Sequence, residues 1–404
     1  MFSPNASYKR ARPALLASLV LLLAPACTPP DAVTELEEEP ETVGYLPQTD
    51  TLRYPGELHL RNIRQLTFGG NNAEAYWSRN DSMLVFQSDW ARINDQGCDQ
   101  QFVMTADGTP VEIGVDSTAQ YHLVSTGEGR TTCGYYLPDG RVIYSSTHAA
   151  GSACPTAAPY GGAYVWPIHE TYDVYVADPE RPDEPELLIG GPGYDAEPTV
   201  SPDGRFVVFT STRSGDLELW RLDVQTGDLL QLTDELGYDG GAFFSRDGSK
   251  LVWRASRPEG QDAERYRLLL QDGYVEPSAL NLFVANADGS DARQVTNLPG
   301  ANWAPFFHPS GEQILFASNH HTLQDGGRLF DLFLINIDGT DVRQVTHSGT
   351  FDAFPMFSYD GRRLVFASNR NARREPTRDT NVFVADWVER PEAADSLFAL
   401  VPLD

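Results

Sequence analysis

Short apolar runs broken by tight polar turns recur along this chain. The clearest copies are Pro198–Phe209 and Pro355–Phe366, each an apolar segment, an Asp-Gly turn and a second apolar segment. Weaker copies centre on Asn80-Asp81, Asp139-Gly140, Asp247-Gly248 and Ser310-Gly311, making six in all. Each repeat holds four strand-like runs, which in the third are 198–201, 206–211, 218–222 and 229–233. Period-2 alternation and β-branched or aromatic residues mark these runs as strands. A repeat of roughly 40–60 residues built from short strands and such turns predicts a β-propeller rather than a solenoid of helices.

The ends of the chain predict how the ring closes. The outermost strand has its own signature, seen as Gln231-Leu232-Thr233, Arg293-Gln294-Val295-Thr296 and Arg343-Gln344-Val345-Thr346. The same signature stands at Arg64-Gln65-Leu66-Thr67, ahead of the first innermost strand, while the sixth repeat stops after its third strand at Val382–Trp387. An N-terminal strand completing the last blade accounts for both facts and removes the free sheet edges of an open array. The expected fold is all-β: a six-bladed propeller of four-stranded antiparallel blades over residues 56–390.

Ser201-Pro202-Asp203-Gly204, Phe366-Ala367-Ser368-Asn369-Arg370 and the Arg-Gln-Val-Thr segments, with Asn286-Ala287-Asp288-Gly289 and Asn336-Ile337-Asp338-Gly339, resemble the WD40-like repeats of the TolB family of propellers. The resemblance covers about residues 56–390 and implies the fold more specifically than the function. TolB proteins carry an additional N-terminal domain that contacts the envelope-spanning Tol machinery. Fewer than about 30 residues separate Cys27 from the first strand here, so the expectation is a propeller-only lipoprotein relative.

Composition sharpens the picture. Hydrophobic residues make up 41%, and 34 Gly with 28 Pro suit a turn-dense chain. A net charge of −27, from 57 acidic and 30 basic residues, argues against nucleic acid or an anionic membrane surface as the main partner. Lys9, Arg10 and Arg12 precede an apolar stretch from Ala14 to Ala24, which reads as an export signal over residues 1–26. Ala24-Pro25-Ala26-Cys27 resembles a lipobox with Cys27 as the acylated residue, although Pro25 departs from the usual pattern; a signal cleaved near Ala26 is the rival reading. Glu35, Glu37, Glu38, Glu39 and Glu41 mark 27–55 as a disordered acidic tether, and 391–404 as a tail. These features predict a monomer in the cell envelope (periplasm or cell surface, outer membrane), touching the membrane only through its N-terminal lipid.

Insertions fall between the second and third strands, at roughly 90–99, 148–171, 257–280, 320–330 and 370–380, which puts them on one face of the ring. Loop growth on one face of a repeat array marks it as the binding face. Counting eight residues back from each turn Asp gives a ring at the channel mouth: Asn72, Thr131, Asp195, Asp239, Asn302 and Asp352. Glu74 and Glu197 follow two residues later and point the same way if the strand alternates regularly. A second ring four residues after each second-strand aromatic comprises Trp90, His148, Arg213, Arg257, His320 and Arg370. Either these acids and bases tie adjacent blades and cap backbone groups, or they form a pocket for a polar ligand. Asp195, Asp239 and Asp352 could also hold Ca²⁺ in the channel, since hard cations take oxygen ligands.

Cys98, Cys133 and Cys154 all map to the inserted face, which predicts one disulfide and one thiol left over. Three pairings are open, and Cys133–Cys154 is favoured because both residues belong to the second repeat. Enzyme signatures are absent: there is no Gly-x-Ser-x-Gly elbow, and Ile168-His169-Glu170-Thr171-Tyr172 lacks the second His of a zinc-protease helix. The expected function is a binding or scaffold module holding a protein, peptide or glycan on the looped face, with Trp90, Tyr164, Trp166 and Tyr172 as aromatic anchors. A metal-assisted hydrolase or lyase at the channel mouth, using Asp195, Glu197, Asp239 and Asp352, is the alternative.

Overall fold

The computed structural model describes residues 50–389, apart from 113–118, 157–159, 162–163 and 372–377. The export signal, Cys27, the tether up to residue 49, parts of the inserted loops of blades two and six, and the tail at 391–404 lie outside the described residues.

Six four-stranded antiparallel sheets follow one another along the chain. Their innermost strands are Asn72–Trp77, Thr131–Tyr136, Asp195–Val200, Asp239–Phe244, Asn302–Phe307 and Asp352–Phe357. Each packs on the innermost strand of the next blade, and the sixth packs on the first. As expected, Leu60–Gln65 completes blade six by pairing with Asn381–Trp387, with Arg64 opposite Val384 and Gln65 opposite Phe383. Closure in this way leaves no blade short of a strand.

The core repeats with the blades. In every blade a second-strand aromatic lies directly opposite a third-strand aromatic: Phe86 and Phe102, Tyr144 and Tyr175, Phe209 and Trp220, Trp253 and Phe283, Phe316 and Phe333, Phe366 and Phe383. The second-strand members are all buried. Cross-strand aromatic pairs add up to about 1 kcal/mol each beyond area burial, and burying one Phe contributes roughly 1.5–3 kcal/mol. The turns that punctuate the sequence have a matching chemistry. Asp203 Oδ1 accepts hydrogen bonds from Ser201 Oγ at 2.6 Å and from the Arg205 amide at 3.1 Å, and Asp360 does the same for Ser358 and Arg362. The glycine after each Asp has positive φ, +76° at Gly204 and +74° at Gly361.

On the inserted face two loops meet. Trp166–Pro167 from blade two pairs with Tyr274–Val275 from blade four, bridging over blade three, whose own loop is minimal. The blade-four insertion also contains a helix, Gly260–Gln271, which sequence periodicity did not predict. Tyr266 of that helix donates to Asp216 Oδ1 at 2.5 Å, fastening it to blade three.

Candidate ligand-binding cavity at the channel mouth

The residues that face the channel are set by an irregularity common to all six innermost strands. Pairing with the second strand shifts after the second residue of each, between Ala73 and Tyr76 in blade one and between Ala196 and Thr199 in blade three, for example. The third residue is left-handed in every case: Glu74, Cys133, Glu197, Gly241, Ala304 and Phe354, with φ between +47° and +60°. Non-glycine residues rarely adopt this conformation, and a bulge re-aims the side chain it displaces. These six residues, one per blade, all line a cavity of about 1080 Å³.

The ring counted from the sequence goes elsewhere. Asn72, Asp195, Asp239, Asn302 and Asp352 are buried within their blades and only Thr131 of that ring borders the cavity. Arg213 donates to Asp195 at 2.7 Å, and Arg257 makes a two-pronged pair with Asp239 at 2.8 and 2.9 Å. Arg370 reaches both Asp352 oxygens at 3.2 Å. Where the inner residue is Asn, the second-ring residue is Trp90 or His320, and the Asn carboxamide oxygen accepts instead from Ser88 or Ser318. His148, in the blade with Thr131, sits on Ser146 Oγ at 2.8 Å. Acid is thus matched with arginine in blades three, four and six, and neutral with neutral elsewhere. The expectation that these pairs tie adjacent blades needs correction, because both members belong to one blade. The ring residues that do reach a neighbouring blade reach its backbone, as where Asn72 donates to the Thr380 carbonyl at 3.0 Å and Asn302 to that of Leu280 at 2.9 Å. Asp195, Asp239 and Asp352, the carboxylates expected to hold Ca²⁺ if a cation is bound, sit in separate blades, each bonded to a guanidinium.

Of the predicted residues, Glu74 and Glu197 do border the cavity. Glu197 is saturated: it accepts from Arg254, from Tyr238 Oη at 2.9 Å, from Thr210 Oγ1 at 2.8 Å and from the Gly241 amide at 2.9 Å. Arg254 came from no sequence signal, yet it fills the space beside Gly241, where a Cβ would overlap its guanidinium. Its guanidinium carbon lies 5.0 Å from the Tyr238 ring centroid and 5.5 Å from that of Trp166. Asp99 and Arg130 form a second pair at 2.9 Å. Glu74 differs. Burial, reinforced by the charges of Glu197 and Asp99 and opposed by the Cys133 thiol and Arg254, pushes its carboxyl up to about 7. Its Oε2 is covered and has no hydrogen-bond partner. Burial likewise pushes the Cys133 thiol well above its usual range.

The opposite wall is aromatic. Trp303 meets Phe354 edge-on at 4.9 Å and Phe330 at 5.6 Å, and Trp166 of the bridging ribbon approaches Trp303 at 5.7 Å. Of the four aromatics expected as anchors, Tyr164, Trp166 and Tyr172 all border the cavity, Tyr172 as a buried ring packed edge-on against Tyr194. Trp90 packs over the Gly69-Gly70 turn of its own blade, leaving no room there for a Cβ. The favoured cysteine pairing is also corrected: the disulfide joins Cys98 to Cys154, with Cα atoms 6.0 Å apart, and Cys133 is free. Cys133 occupies a bulge and points into the channel, whereas Cys98 and Cys154 lie on facing loops of blades one and two.

No family model matches the chain. An uncharacterized protein of Agrobacterium fabrum, Atu1656, is 28% identical over 142 residues, spanning 34% of this chain and 45% of that protein. The Tol-Pal system protein TolB of Francisella tularensis subsp. mediasiatica is 23% identical over 125 residues, 31% of this chain and 25% of that one. The matched segments therefore span less than half the length of these curated relatives. Among solved structures, the gluconolactonase XC5397 of Xanthomonas campestris superposes with a TM-score of 0.51 at 13% identity, covering 82% of this chain and 91% of that one. Sequence and fold together make this chain a six-bladed β-propeller that resembles TolB.

Proposed function

We propose that the protein is an exported, lipid-anchored propeller of the cell envelope that binds a partner protein, peptide or glycan at its loop-rich mouth. One observation carries this reading. The cavity there has the charged groups Glu74, Asp99, Arg130, Glu197 and Arg254 on blades one to four and an aromatic cluster of Trp303, Phe330, Phe351 and Phe354 on blades five and six, under a ribbon contributed by two insertions. Pockets of this size with an apolar wall and a few convergent polar groups are where ligands are held. The export signal, the acidic tether and the similarity to a protein named for the Tol-Pal system support an envelope location. Strong acidity supports partners other than nucleic acid.

Crosslinking and pull-down from native envelopes tests it. The full chain should capture a discrete partner, and a variant with the ribbon residues 164–168 and 273–276 replaced by short Gly-Ser turns should lose it. Equal capture by both proteins overturns the reading.

A further inference from the structure

Both walls of the cavity leave buried polar atoms unmet: Glu74 Oε2 and the Nε atoms of Arg130 and Arg254 on one side, the Trp303 N–H on the other, and of these Glu74 Oε2 is the one acceptor. On the polar side, Glu197 is paired with Arg254 and Asp99 with Arg130, while Glu74 Oε2 is covered and has no partner. On the aromatic side, Trp303 is buried to nine-tenths and borders the cavity, and its indole N–H finds no acceptor. Glu74 and Phe354 are neighbours in the ring of bulge residues, since blade six adjoins blade one, and Phe354 rests on Trp303. A carboxyl that has the Cys133 thiol beside it, but no guanidinium bonded to it, therefore belongs to the blade next to a continuous aromatic surface formed by Phe354, Trp303, Phe351 and Phe330.

Resting on the reading that this mouth holds a partner, we propose that it takes an alkylammonium group presented by a peptide, either a lysine side chain or a free amino terminus. The ammonium meets Glu74 and supplies the donor that Oε2 lacks. Its methylene stem lies along Phe354 and Trp303, whose ring faces attract a cation. An adjacent peptide carbonyl is the acceptor that the Trp303 N–H lacks. A buried polar group without a partner is costly, so one ligand that satisfies both groups recovers two such costs. An amino sugar offers the same ammonium but carries hydroxyls on every edge. The stretch of wall formed by Ala304, Phe330, Phe351 and Phe354 is apolar, and Asn319, Arg328, Thr380 and the Trp303 N–H are the polar groups that blades five and six add to the lining, too few to meet hydroxyls on every edge.

The groups around Glu74 agree with this choice. Glu197 and Asp99 add negative potential, Arg254 opposes it but is held by Glu197 and Tyr238, and Cys133 and Tyr76 remain neutral. His169 borders the cavity and burial keeps it neutral at pH 8; Arg328 stands on the exposed lip. Because an alkylammonium keeps its charge from pH 6 to 8, a change in its binding across that window that Glu74→Gln abolishes follows ionisation of Glu74 rather than of His169.

Calorimetry of the full chain in detergent, with hexylammonium, hexanol and glucosamine as probes at pH 8, is the test. Hexylammonium should bind at least about tenfold tighter than hexanol, and glucosamine more weakly than hexylammonium. Glu74→Gln should bring the hexylammonium-to-hexanol ratio close to one, and lowering the pH of the wild type to 6 should shrink it. Phe354→Ala should weaken both hexyl probes while preserving their ratio, which separates loss of the wall from loss of the charge. A ratio near one in the wild type, a ratio unchanged by Glu74→Gln, or tighter binding of glucosamine overturns the proposal. If partner capture still depends on the ribbon while any of those results is obtained, the mouth is a binding site for different chemistry. If the ammonium preference holds while capture ignores the ribbon, the envelope reading fails alone.

Discussion

Arg254 of blade four reaches across the blade boundary to the carboxylate of Glu197 in blade three. Both side chains are at least nine-tenths buried, and Tyr238 bonds to each of them. Two opposite charges removed from water must satisfy one another, because neither has a solvent alternative. The pair therefore fastens two blades at the depth where the channel opens into the cavity, and the two left-handed residues Glu197 and Gly241 make room for it.

Breaking that pair should be expensive. Arg254→Ala leaves a buried carboxylate with only neutral donors and is expected to cost about 3–5 kcal/mol in chemical denaturation. The double variant Glu197→Gln with Arg254→Met should recover a large part of the loss. Additive losses in the double variant would contradict a mutual tie.

The closing strand has its own buried anchor. Arg370 and Glu57 are both inaccessible, joined by two hydrogen bonds of 3.1 and 2.7 Å, and Glu57 also accepts from the amides of Tyr54 and His347. Glu57→Ala should destabilise by about 2–4 kcal/mol. Hydrogen exchange should show Asn381–Trp387 losing protection before the third strands of the other blades, since Leu60–Gln65 is what covers its outer edge.

Glu74 should make stability fall as pH rises. Below about 4.5 the carboxyl is protonated both folded and unfolded and contributes nothing to the dependence. Between about 4.5 and 7 the folded protein keeps a proton that the unfolded chain has released, and above 7 the full penalty applies. That penalty is on the order of 1–3 kcal/mol. Glu74→Gln should match the wild type at pH 4.5 and exceed its melting temperature at pH 8; the opposite ordering would show that the carboxylate is stabilised where it sits.

Reduction should act through one loop. The Cys98–Cys154 bond closes a segment with a sequence separation of 56, which in the chain-entropy account contributes about 4 kcal/mol. Cys98→Ser with Cys154→Ser should lower the denaturation midpoint accordingly, while Cys133→Ser should leave it nearly unchanged. Alkylation of Cys133 at pH 7 should be slow, because burial disfavours its thiolate.

Much of the architecture could be read from residue order. The strand at 206–211 and the pairing of Arg64 near Phe383 follow from local alternation and from a signature placed at both ends of the chain. The pairing of Asp with Arg and of Asn with His or Trp also lies in the sequence, once the repeats are aligned in register. The inward ring was partly legible too: Glu74 and Glu197 already stood at the position that Cys133, Gly241, Ala304 and Phe354 share. What hid it was the assumption of unbroken alternation, under which residues two apart point the same way.

The amino-acid order by itself determined the number of blades, the strand that closes the ring and the face that bears the insertions. These depend on local periodicity and turn chemistry, which neighbours in the chain specify. Only the tertiary structure decided which side chains meet at the mouth: the left-handed bulge in each inner strand, the bond between Cys98 and Cys154, the ribbon joining blades two and four, and the insertion of Arg254 beside Glu197. The last three are contacts between residues far apart in sequence, and the bulge depends on how the inner strand pairs and packs, so none is specified by neighbours in the chain alone.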